Sequence, residues 1–185
     1  MEYLITGSKG FIGRNLTSYM IKKKIPFQVS DIGPNSSPCT IIHLSAATNV
    51  RKSVKDPINS FEKNTRKTFD WLNLSRKFDV SKFIFASSMG VTDPCSPYLA
   101  SKVAGEAYCK SYSKSYNMAT CIMRFSNVYG PCSEFKDSVI PKFIKAAMHK
   151  KHFHIYGDGN QTRDFIYVKD VVRSLLTTSS PPIPL

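Results

Sequence analysis

The apolar residues of this chain gather into short runs, and longer stretches of mixed polarity separate those runs. The short runs, which have the length of buried strands, cover residues 2–6, 27–31, 41–45, 82–86 and 119–125. Elsewhere apolar residues recur every three or four positions, the spacing of an amphipathic helix, over 15–24, 53–77, 97–116, 137–150 and from 170 onward. Strands that alternate with helices predict an α/β fold in which a parallel sheet is doubly wound, as in the Rossmann fold.

One connection between predicted strands is short. Residues 32–40 are rich in Pro, Gly and Ser and predict a loop without a helix. A parallel crossover usually takes a dozen or more residues. The nine residues of this loop still reach about 30 Å when extended, since each adds about 3.3 Å, so the loop can return along one strand.

Three glycines directly follow the first predicted strand and precede the first helix. They are Gly7, Gly10 and Gly13, spaced as G-x-x-G-x-x-G. A strand, a glycine turn and a helix form the context of a dinucleotide-binding loop. Gly7 would allow the tight turn, Gly10 would let a pyrophosphate approach the backbone, and Gly13 would let the helix pack closely on the strand. This stretch therefore predicts a nucleotide cofactor.

The second predicted strand ends in an acidic residue. Asp31 lies 18 positions after Gly13, where a carboxylate can bind the hydroxyls of an adenosine ribose and repel a 2′-phosphate. A turn or helix-capping aspartate is the alternative interpretation. Lys9, inside the glycine loop, could instead reach a 2′-phosphate. The pattern favours NAD over NADP and does not exclude NADP.

A tyrosine and a lysine share one face of the helix predicted over 97–116. Tyr98 and Lys102 are four residues apart, and Ser88 lies ten residues upstream of Tyr98, after a predicted strand. A phenol with its ordinary pKa of about 10 is a poor base at neutral pH, but a nearby ammonium lowers that pKa. Ser88 could hydrogen-bond the substrate oxygen that Tyr98 deprotonates. The alternative is an ordinary surface pair, since this spacing is common.

The composition restricts the class of protein. A chain of 185 residues with 42% hydrophobic and 12% aromatic content predicts one packed globular unit. Its formal net charge of +13 would suit nucleic acid, an anionic membrane or small phosphorylated ligands. The Lys and Arg residues are scattered, with short clusters at 22–24 and 150–151, which favours solvated helix ends over a nucleic-acid surface.

Cysteine and histidine usage does not predict a metal site. The five cysteines form an odd set without a Cys-x-x-Cys pair, which predicts free thiols in a reducing compartment. His149, His152 and His154 have no apparent fourth ligand and are interpreted as surface residues. The sequence shows no signal peptide and no apolar run of membrane-spanning length, so we expect a cytoplasmic protein that does not enter a membrane.

Six motifs occur in an order that resembles one protein family. They are Thr6–Gly13 (TGSKGFIG), His43–Ala47 (HLSAA), Phe85–Ser88 (FASS), the pair Tyr98 and Lys102, Arg124–Pro131 (RFSNVYGP) and Gly157–Asp170 (GDGNQTRDFIYVKD). Together they resemble the extended short-chain dehydrogenase/reductase family, and within it the NAD-dependent epimerase/dehydratase enzymes of the UDP-glucose 4-epimerase type. The resemblance covers nearly the whole chain.

The resemblance implies a division of the chain and a role for each motif. Residues 1–130 would form an NAD-binding domain with the catalytic helix, and 131–185 would form part of a nucleotide-sugar region. The residues implied to bind NAD are Gly7, Gly10, Phe11, Ile12, Gly13, Asp31, Ala46 and Lys102. Those implied in catalysis are Ser88, Tyr98 and Lys102, and those implied to touch the substrate are Ser88, Asn127 and Arg163.

Within that site, the resemblance implies that Tyr98 deprotonates a sugar hydroxyl whose oxygen Ser88 orients. Lys102 would hold the nicotinamide ribose and, with the positive nicotinamide, depress the pKa of Tyr98. Asn127 would contact the substrate and Arg163 its diphosphate, because a guanidinium suits phosphate geometry. Asn127 could instead cap its strand end, and Arg163 could form a surface ion pair with an aspartate, either residue 164 or residue 170.

The chain departs from the family pattern in three places. It lacks a strand and a helix between Asp31 and Ile41, a loss expected to fall at the sheet edge and to open the adenine pocket. Only nine residues separate Ser88 from Tyr98, fewer than in the family, which we expect to expose the site to water. The sequence stops at Leu185, so we expect incomplete nucleobase and sugar pockets unless this is a fragment or a partner chain completes them.

These features favour a nucleotide-sugar epimerase of the UDP-hexose type, acting in polysaccharide synthesis. Met89 and Gly90 follow Ser88, where a dehydratase of this family carries an acidic pair and a decarboxylase a Glu, so both of those reactions are disfavoured. The alternatives are a keto-sugar reductase that consumes NAD(P)H and a dinucleotide-binding protein without turnover. A basic nucleic-acid-binding protein comes last.

Family members often dimerise through the helix that carries Tyr98 and the helix before it. The apolar stripe that could make such a homodimer contact consists of Val103, Ala107, Tyr108 and Tyr112. The same stripe could pack into the core of one chain, and the sequence leaves both interpretations open.

Overall fold

The computed structural model describes residues 3–34, 40–155 and 157–179, and a sheet of parallel strands lies at its centre. The strands of this sheet are β1 (Tyr3–Thr6), β2 (Phe27–Val29), β3 (Thr40–His43), β4 (Lys82–Ser88) and β5 (Ala119–Phe125). They hydrogen-bond in the order β2-β1-β3-β4-β5, each parallel to its neighbours. A separate parallel pair joins β6 (Asn127–Tyr129) to β7 (Phe165–Tyr167).

Helices connect these strands. In chain order they are α1 (Phe11–Lys22), α2 (Val50–Lys55), α3 (Pro57–Ser60), a π-helical turn (Phe61–Arg66), α4 (Lys67–Lys77), a 3₁₀ turn (Met89–Thr92), α5 (Pro97–Tyr116), α6 (Val139–Met148) and α7 (Val168–Ser179). The strand–helix alternation and the parallel sheet confirm the predicted α/β class.

Two helices differ by more than two residues from their predicted bounds. The helix predicted over 53–77 is interrupted at Asp56, which has φ −138° and ψ 81° and whose carboxylate accepts the Asn59 N–H at 3.0 Å. The interruption arises because a residue before proline is driven out of the helical region and Pro57 has no N–H to donate. Helix α1 begins at Phe11, earlier than predicted, because the glycine loop leads directly into it.

Two apolar layers, one on each face of the sheet, form the core. The first holds Ile5 of β1 with residues of α1 and α7, namely Leu16, Met20, Val168, Val171, Val172 and Leu175. The second holds Leu4 of β1 with residues of α4 and α5, namely Trp71, Leu72, Cys109 and Tyr112. Because successive residues of a strand point to opposite faces, helices on both sides bury the strands. The predicted doubly wound arrangement is confirmed.

Strand β2 forms one edge of the sheet, where the loss of a strand–helix unit was expected to fall. Strand β3 lies on the other side of β1, with Thr40 beside Tyr3. The link from β2 to β3 therefore passes over a single strand, a distance that a short loop can span. Residues 35–39 of the predicted loop lie outside the described part of the chain.

Helix α5 approaches β4 closely. A Cβ built at Gly105 would lie 2.4 Å from the Cζ atom of the buried Phe85 ring. Glycine inside a helix is less favourable than alanine by about 1 kcal/mol. The missing side chain therefore provides the space in which the helix meets the strand.

We expect Gly105→Ala to destabilise the protein even though alanine favours helices. Pressing a methyl group against the ring costs about 1–3 kcal/mol, which outweighs the helix-propensity gain of about 1 kcal/mol. Urea unfolding measures the difference, and Ser115→Ala, at an exposed position on α5, is the control that should be neutral or slightly stabilising. An unfolding midpoint for Gly105→Ala equal to that of the control would show that α5 can retreat from β4 at no cost.

Candidate functional site

A cleft of about 400 Å³ opens at the carboxyl ends of the strands. Gly7 after β1, Leu44 after β3 and Ser88 at the end of β4 all line it. Helix α1, which follows β1, packs on one face of the sheet, and α4, which follows β3, packs on the other. The cleft therefore lies where the direction of winding reverses, which is where open α/β sheets bind ligands.

The glycine loop forms one wall of this cleft. Gly7 has φ +68°, and a Cβ there would come within 2.7 Å of the Ser45 nitrogen. The Gly10 N–H closes the turn on the Gly7 carbonyl oxygen at 3.0 Å. A Cβ on Gly13 would lie 2.2 Å from that same oxygen, so Gly13 lets α1 start directly against the loop. The tight turn predicted for Gly7 is confirmed. Gly13 was predicted to let the helix pack closely on the strand, and its close contact is instead with the loop that follows the strand.

Most of the residues that the resemblance assigned to the cofactor line this cleft. They are Gly7, Gly10, Phe11, Ile12, Gly13, Ala46 and Lys102. Asp31 does not line the cleft but lies next to the loop, where its carboxylate accepts the Gly7 N–H at 2.8 Å. The carboxylate at the end of β2 thus adjoins the glycine turn, and Lys9 lines the cleft from within the loop.

The opposite wall carries Ser88, Tyr98 and Lys102, and all three line the cleft. Strand β4 places Ser88 at its end, and α5 begins with Pro97 at a position where a missing N–H has no consequence. The Lys102 Nζ donates to the Ala86 carbonyl oxygen at 2.8 Å and lies 6.0 Å from the centroid of the Tyr98 ring. The structure therefore brings the predicted catalytic residues together on one side of α5.

Burial sets the acid–base properties of this pair. It lowers the pKa of Lys102 from about 10.5 to about 8, because the ammonium is removed from water. It raises the pKa of Tyr98 above its ordinary value for the same reason. The predicted depression of the Tyr98 pKa by Lys102 together with the positive nicotinamide has to outweigh this desolvation of the phenol, and it stays a prediction.

Asn64 connects the two walls through the π-helical turn. Its Oδ1 accepts the Ala47 N–H at 2.7 Å, and its Nδ2 donates to the Ala47 carbonyl oxygen and to the Ser101 Oγ, both at 3.1 Å. The segment after β3 is thereby tied to α5. The sequence alone places Asn64 within a stretch predicted to be helical and does not reveal these partners.

A second polar cluster lies behind the cleft and was not predicted. Glu106 is buried, and it accepts hydrogen bonds from Ser87 Oγ at 2.6 Å, Arg124 Nε at 2.8 Å and Arg124 Nη2 at 2.6 Å. The hydrogen bonds from Arg124 hold the pKa of Glu106 below its usual range. The spacing in the sequence could have indicated that Glu106 lies near the site, because it follows Lys102 by four residues and so shares its helix face.

Of the three predicted substrate residues, Ser88 lines this cleft, whereas Asn127 and Arg163 do not. Asn127 lines a smaller cavity of about 50 Å³, and its Nδ2 donates to the Asp164 carbonyl oxygen at 3.1 Å. Arg163 is exposed, lines neither cavity and donates to the Thr162 carbonyl oxygen at 2.8 Å. Within the predicted nucleotide-sugar region, residues 156 and 180–185 lie outside the described part of the chain.

Other sequence expectations concern metals, thiols and membranes. Within residues 3–34, 40–155 and 157–179, no group of three or more His, Cys, Asp or Glu side chains could hold a metal ion. In those same ranges, no helix has the length and apolarity needed to span a bilayer. The thiols of residues 95, 109, 121 and 132 are free, and Cys39 lies outside the described residues.

The sequence matches a known family over most of its length. Residues 26–180 match the profile of the NAD dependent epimerase/dehydratase family. The chain is 34% identical over 200 residues to a putative UDP-glucose 4-epimerase of Methanocaldococcus jannaschii, an alignment that covers 95% of this chain and 63% of the relative. The chain thus spans less than two thirds of that relative's length.

Two solved structures share the fold. The UDP-glucose 4-epimerase of Thermotoga maritima, solved with UDP-glucose, superposes with a TM-score of 0.88 at 28% identity, covering 96% of this chain and 73% of that one. The UDP-glucose 4-epimerase of Thermus thermophilus, solved with NAD, gives a TM-score of 0.86 at 25% identity, covering 98% and 75%. The likeness therefore extends over nearly all of this chain and about three quarters of each solved structure.

The lowered pKa of Lys102 predicts a pH-dependent stability. Between about pH 8 and 10.5 the unfolded chain holds a proton on Lys102 that the folded chain has released, so folding becomes more favourable as pH rises through this window. The shift corresponds to about 3 kcal/mol in total. We expect the free energy of unfolding of the wild type to rise over this window relative to that of Lys102→Met.

Chemical denaturation at several pH values from 7 to 11 measures this difference. Lys110→Met, an exposed lysine on the same helix, is the matched control and should follow the wild type. If the wild type and Lys102→Met kept a constant difference across the window, the Lys102 ammonium would not be desolvated by the fold.

Proposed function

The chain belongs to the NAD-dependent epimerase/dehydratase family, and we propose that it is an epimerase of nucleotide sugars of the UDP-hexose type. The observation that carries the proposal is that Ser88, Tyr98 and Lys102 line one cleft together with the glycine loop. The archaeal relative and both solved relatives bear the name UDP-glucose 4-epimerase, which supports this substrate class.

The cleft fits a dinucleotide on its glycine side. A Cβ at Gly10 would meet only the Gly7 carbonyl oxygen, at 3.2 Å, so the backbone there is open to a ligand. The start of α1 faces the same space, and its unpaired N–H groups favour a pyrophosphate. NAD, when bound, supplies the acceptor for a hydride from the sugar and the donor that returns it. Asp31 disfavours a 2′-phosphate beside the glycine turn, which supports NAD over NADP.

The protein's own residues would handle the proton. Tyr98 takes the proton from the sugar hydroxyl on its Oη as the hydroxyl is oxidised, and returns it when the keto group is reduced from the other face. Ser88 donates a hydrogen bond to the same sugar oxygen. Lys102, with a pKa of about 8, keeps its charge at neutral pH and favours the phenolate form of Tyr98. Asn127 would contact the substrate from the smaller cavity, and Arg163 stays a prediction.

The lining of the cleft favours epimerisation over dehydration. Eliminating water from the sugar needs an acid and a base besides the tyrosine. Among the described residues that line the cleft, none is Asp or Glu. Met89 and Gly90, which follow Ser88, lie in the 3₁₀ turn instead of supplying an acidic pair. Epimerisation removes and then returns a hydride and a proton, so it needs no further carboxylate.

Tyr98→Phe tests the proposed base. We expect purified wild-type protein, supplied with NAD and a UDP-hexose, to show transient absorbance near 340 nm and to interconvert the 4-epimers. The variant should lose this turnover by at least about 100-fold, since general acid–base catalysis contributes about 10²–10⁴-fold. NAD binding, measured by calorimetry, should be unchanged. Tyr116→Phe, on the exposed end of the same helix, is the control and should retain full activity.

The same assay separates the alternatives. Lasting oxidation of added NAD(P)H with a keto-sugar would indicate a reductase, and tight NAD binding without any turnover would indicate a non-catalytic binding protein. Full activity in Tyr98→Phe would remove the tyrosine from the mechanism.

We also propose a homodimer through the outer face of α5. Val103 and Tyr108 are 38% and 37% exposed, and Ala107 is exposed as well. Tyr112 belongs instead to the core, where its hydroxyl donates to the Asn73 Oδ1 at 2.8 Å. Three of the four residues of the predicted stripe are thus available to a second copy.

Val103→Lys should shift this homodimer toward monomer by at least about tenfold in dissociation constant, because it places a charge in an apolar contact. Sedimentation velocity over a concentration series measures the shift. Ser18→Lys adds the same charge at an exposed position of α1 and serves as the control. A monomeric wild type would refute the proposed dimer.

A further inference from the structure

Lys136 lies at the junction of the two cavities. Of the described lining residues, only Val128 and Lys136 belong to both the large cleft and the smaller cavity that holds Asn127. The Lys136 Nζ lies 4.8 Å from the centroid of the Phe11 ring, at the start of α1. A ligand extending from the glycine loop toward Asn127 would therefore pass this ammonium.

The charge of Lys136 is not balanced by a carboxylate within the described residues. Its Nζ donates to the Val128 carbonyl oxygen at 3.3 Å, and no ion pair includes it there. The acidic residues nearest in sequence are paired elsewhere, Glu134 with Arg14 at 3.7 Å and Asp137 with Lys142 at 2.7 Å.

Partial burial makes this unbalanced charge unfavourable. Removal from water lowers the pKa of Lys136, which means that the surroundings disfavour the ammonium. A desolvated cation gains most from an anion that enters the same space. The position thus has the properties of a binding group rather than of a solvated surface lysine.

We propose that Lys136 binds a ligand pyrophosphate at the junction of the two cavities. The inference rests on the proposed function, which supplies two molecules with this chemistry, the dinucleotide and the nucleotide sugar. The sequence assigned the substrate diphosphate to Arg163, which lines neither cavity. Lys136 provides a cation on the path between the glycine loop and Asn127.

Calorimetric titration of the full chain with UDP and, separately, with NAD tests this role. Lys136→Met should weaken binding of the pyrophosphate that Lys136 contacts by about 10- to 100-fold, the loss expected for one charge-assisted hydrogen bond. Weaker UDP binding alone would identify the nucleotide sugar as the source, and weaker NAD binding alone would identify the cofactor. Lys136→Arg should bind more tightly than Lys136→Met because it keeps the charge.

Lys142→Met is the matched control, because Lys142 lies on the adjoining helix, lines neither cavity and is paired with Asp137. It should bind both ligands within about twofold of the wild type. Since a tenfold change in affinity corresponds to about 1.4 kcal/mol, this difference is less than about 0.5 kcal/mol. Thermal unfolding should place the melting temperature of Lys136→Met at or above that of the wild type, since a desolvated charge is removed.

Two results would overturn the assignment. Unchanged affinity of Lys136→Met for both UDP and NAD, in a protein whose wild type binds them, would exclude Lys136 and leave the proposed function standing. Loss of UDP binding in Arg163→Met, with UDP binding kept and NAD binding weakened in Lys136→Met, would return the substrate diphosphate to Arg163 and support the pyrophosphate of NAD as the ligand of Lys136. A wild type that binds neither ligand would overturn this inference and the proposed function together.

Discussion

The close packing of α5 on the end of β4 is the constraint on which the rest of the site depends. Gly105 leaves room for the Phe85 ring, Lys102 bonds the Ala86 carbonyl oxygen at 2.8 Å, and Glu106 accepts the Ser87 hydroxyl at 2.6 Å. These contacts occur along one face of the helix and at consecutive residues of the strand. They fix the distance between the strand end, which presents Ser88, and the first turn of α5, which presents its tyrosine.

The electrostatics of the cleft follow from the same burial. Lys102 and Lys136 are both desolvated, and both have a lowered pKa because burial disfavours their charge. Lys9 adds positive charge, Arg14 is paired with Glu134 at 3.7 Å, and none of the described residues that line the cleft is Asp or Glu. A cavity with this balance attracts phosphorylated ligands. The charge of +13 is therefore partly concentrated at this cleft.

Features set by local sequence could be predicted, and features set by tertiary contacts could not. The parallel sheet and the glycine turn follow from periodicity and spacing, as does the shared helix face of Tyr98 and Lys102. The roles of Asn64 and Glu106 depend on partners distant in sequence, which a single sequence does not reveal. The direction of the Tyr98 pKa shift could not be predicted without knowing how buried the side chain is, because desolvation and a neighbouring positive charge shift the pKa in opposite directions.

The shortened connection between Ser88 and α5 fits the same constraint. Hydrogen bonds hold both ends of this connection. The Gly90 N–H donates to the Ser88 Oγ, and the Leu99 N–H donates to the Ser96 Oγ, each at 3.3 Å. The Ser53 Oγ also accepts the backbone N–H at the start of α5 at 3.2 Å. A long lid is therefore not needed to place the proposed catalytic residues, because the helix–strand contact and these caps already do so. A shorter connection encloses a bound ligand less. Cations proposed to hold the phosphates of that ligand, such as Lys136, therefore contribute more to its binding.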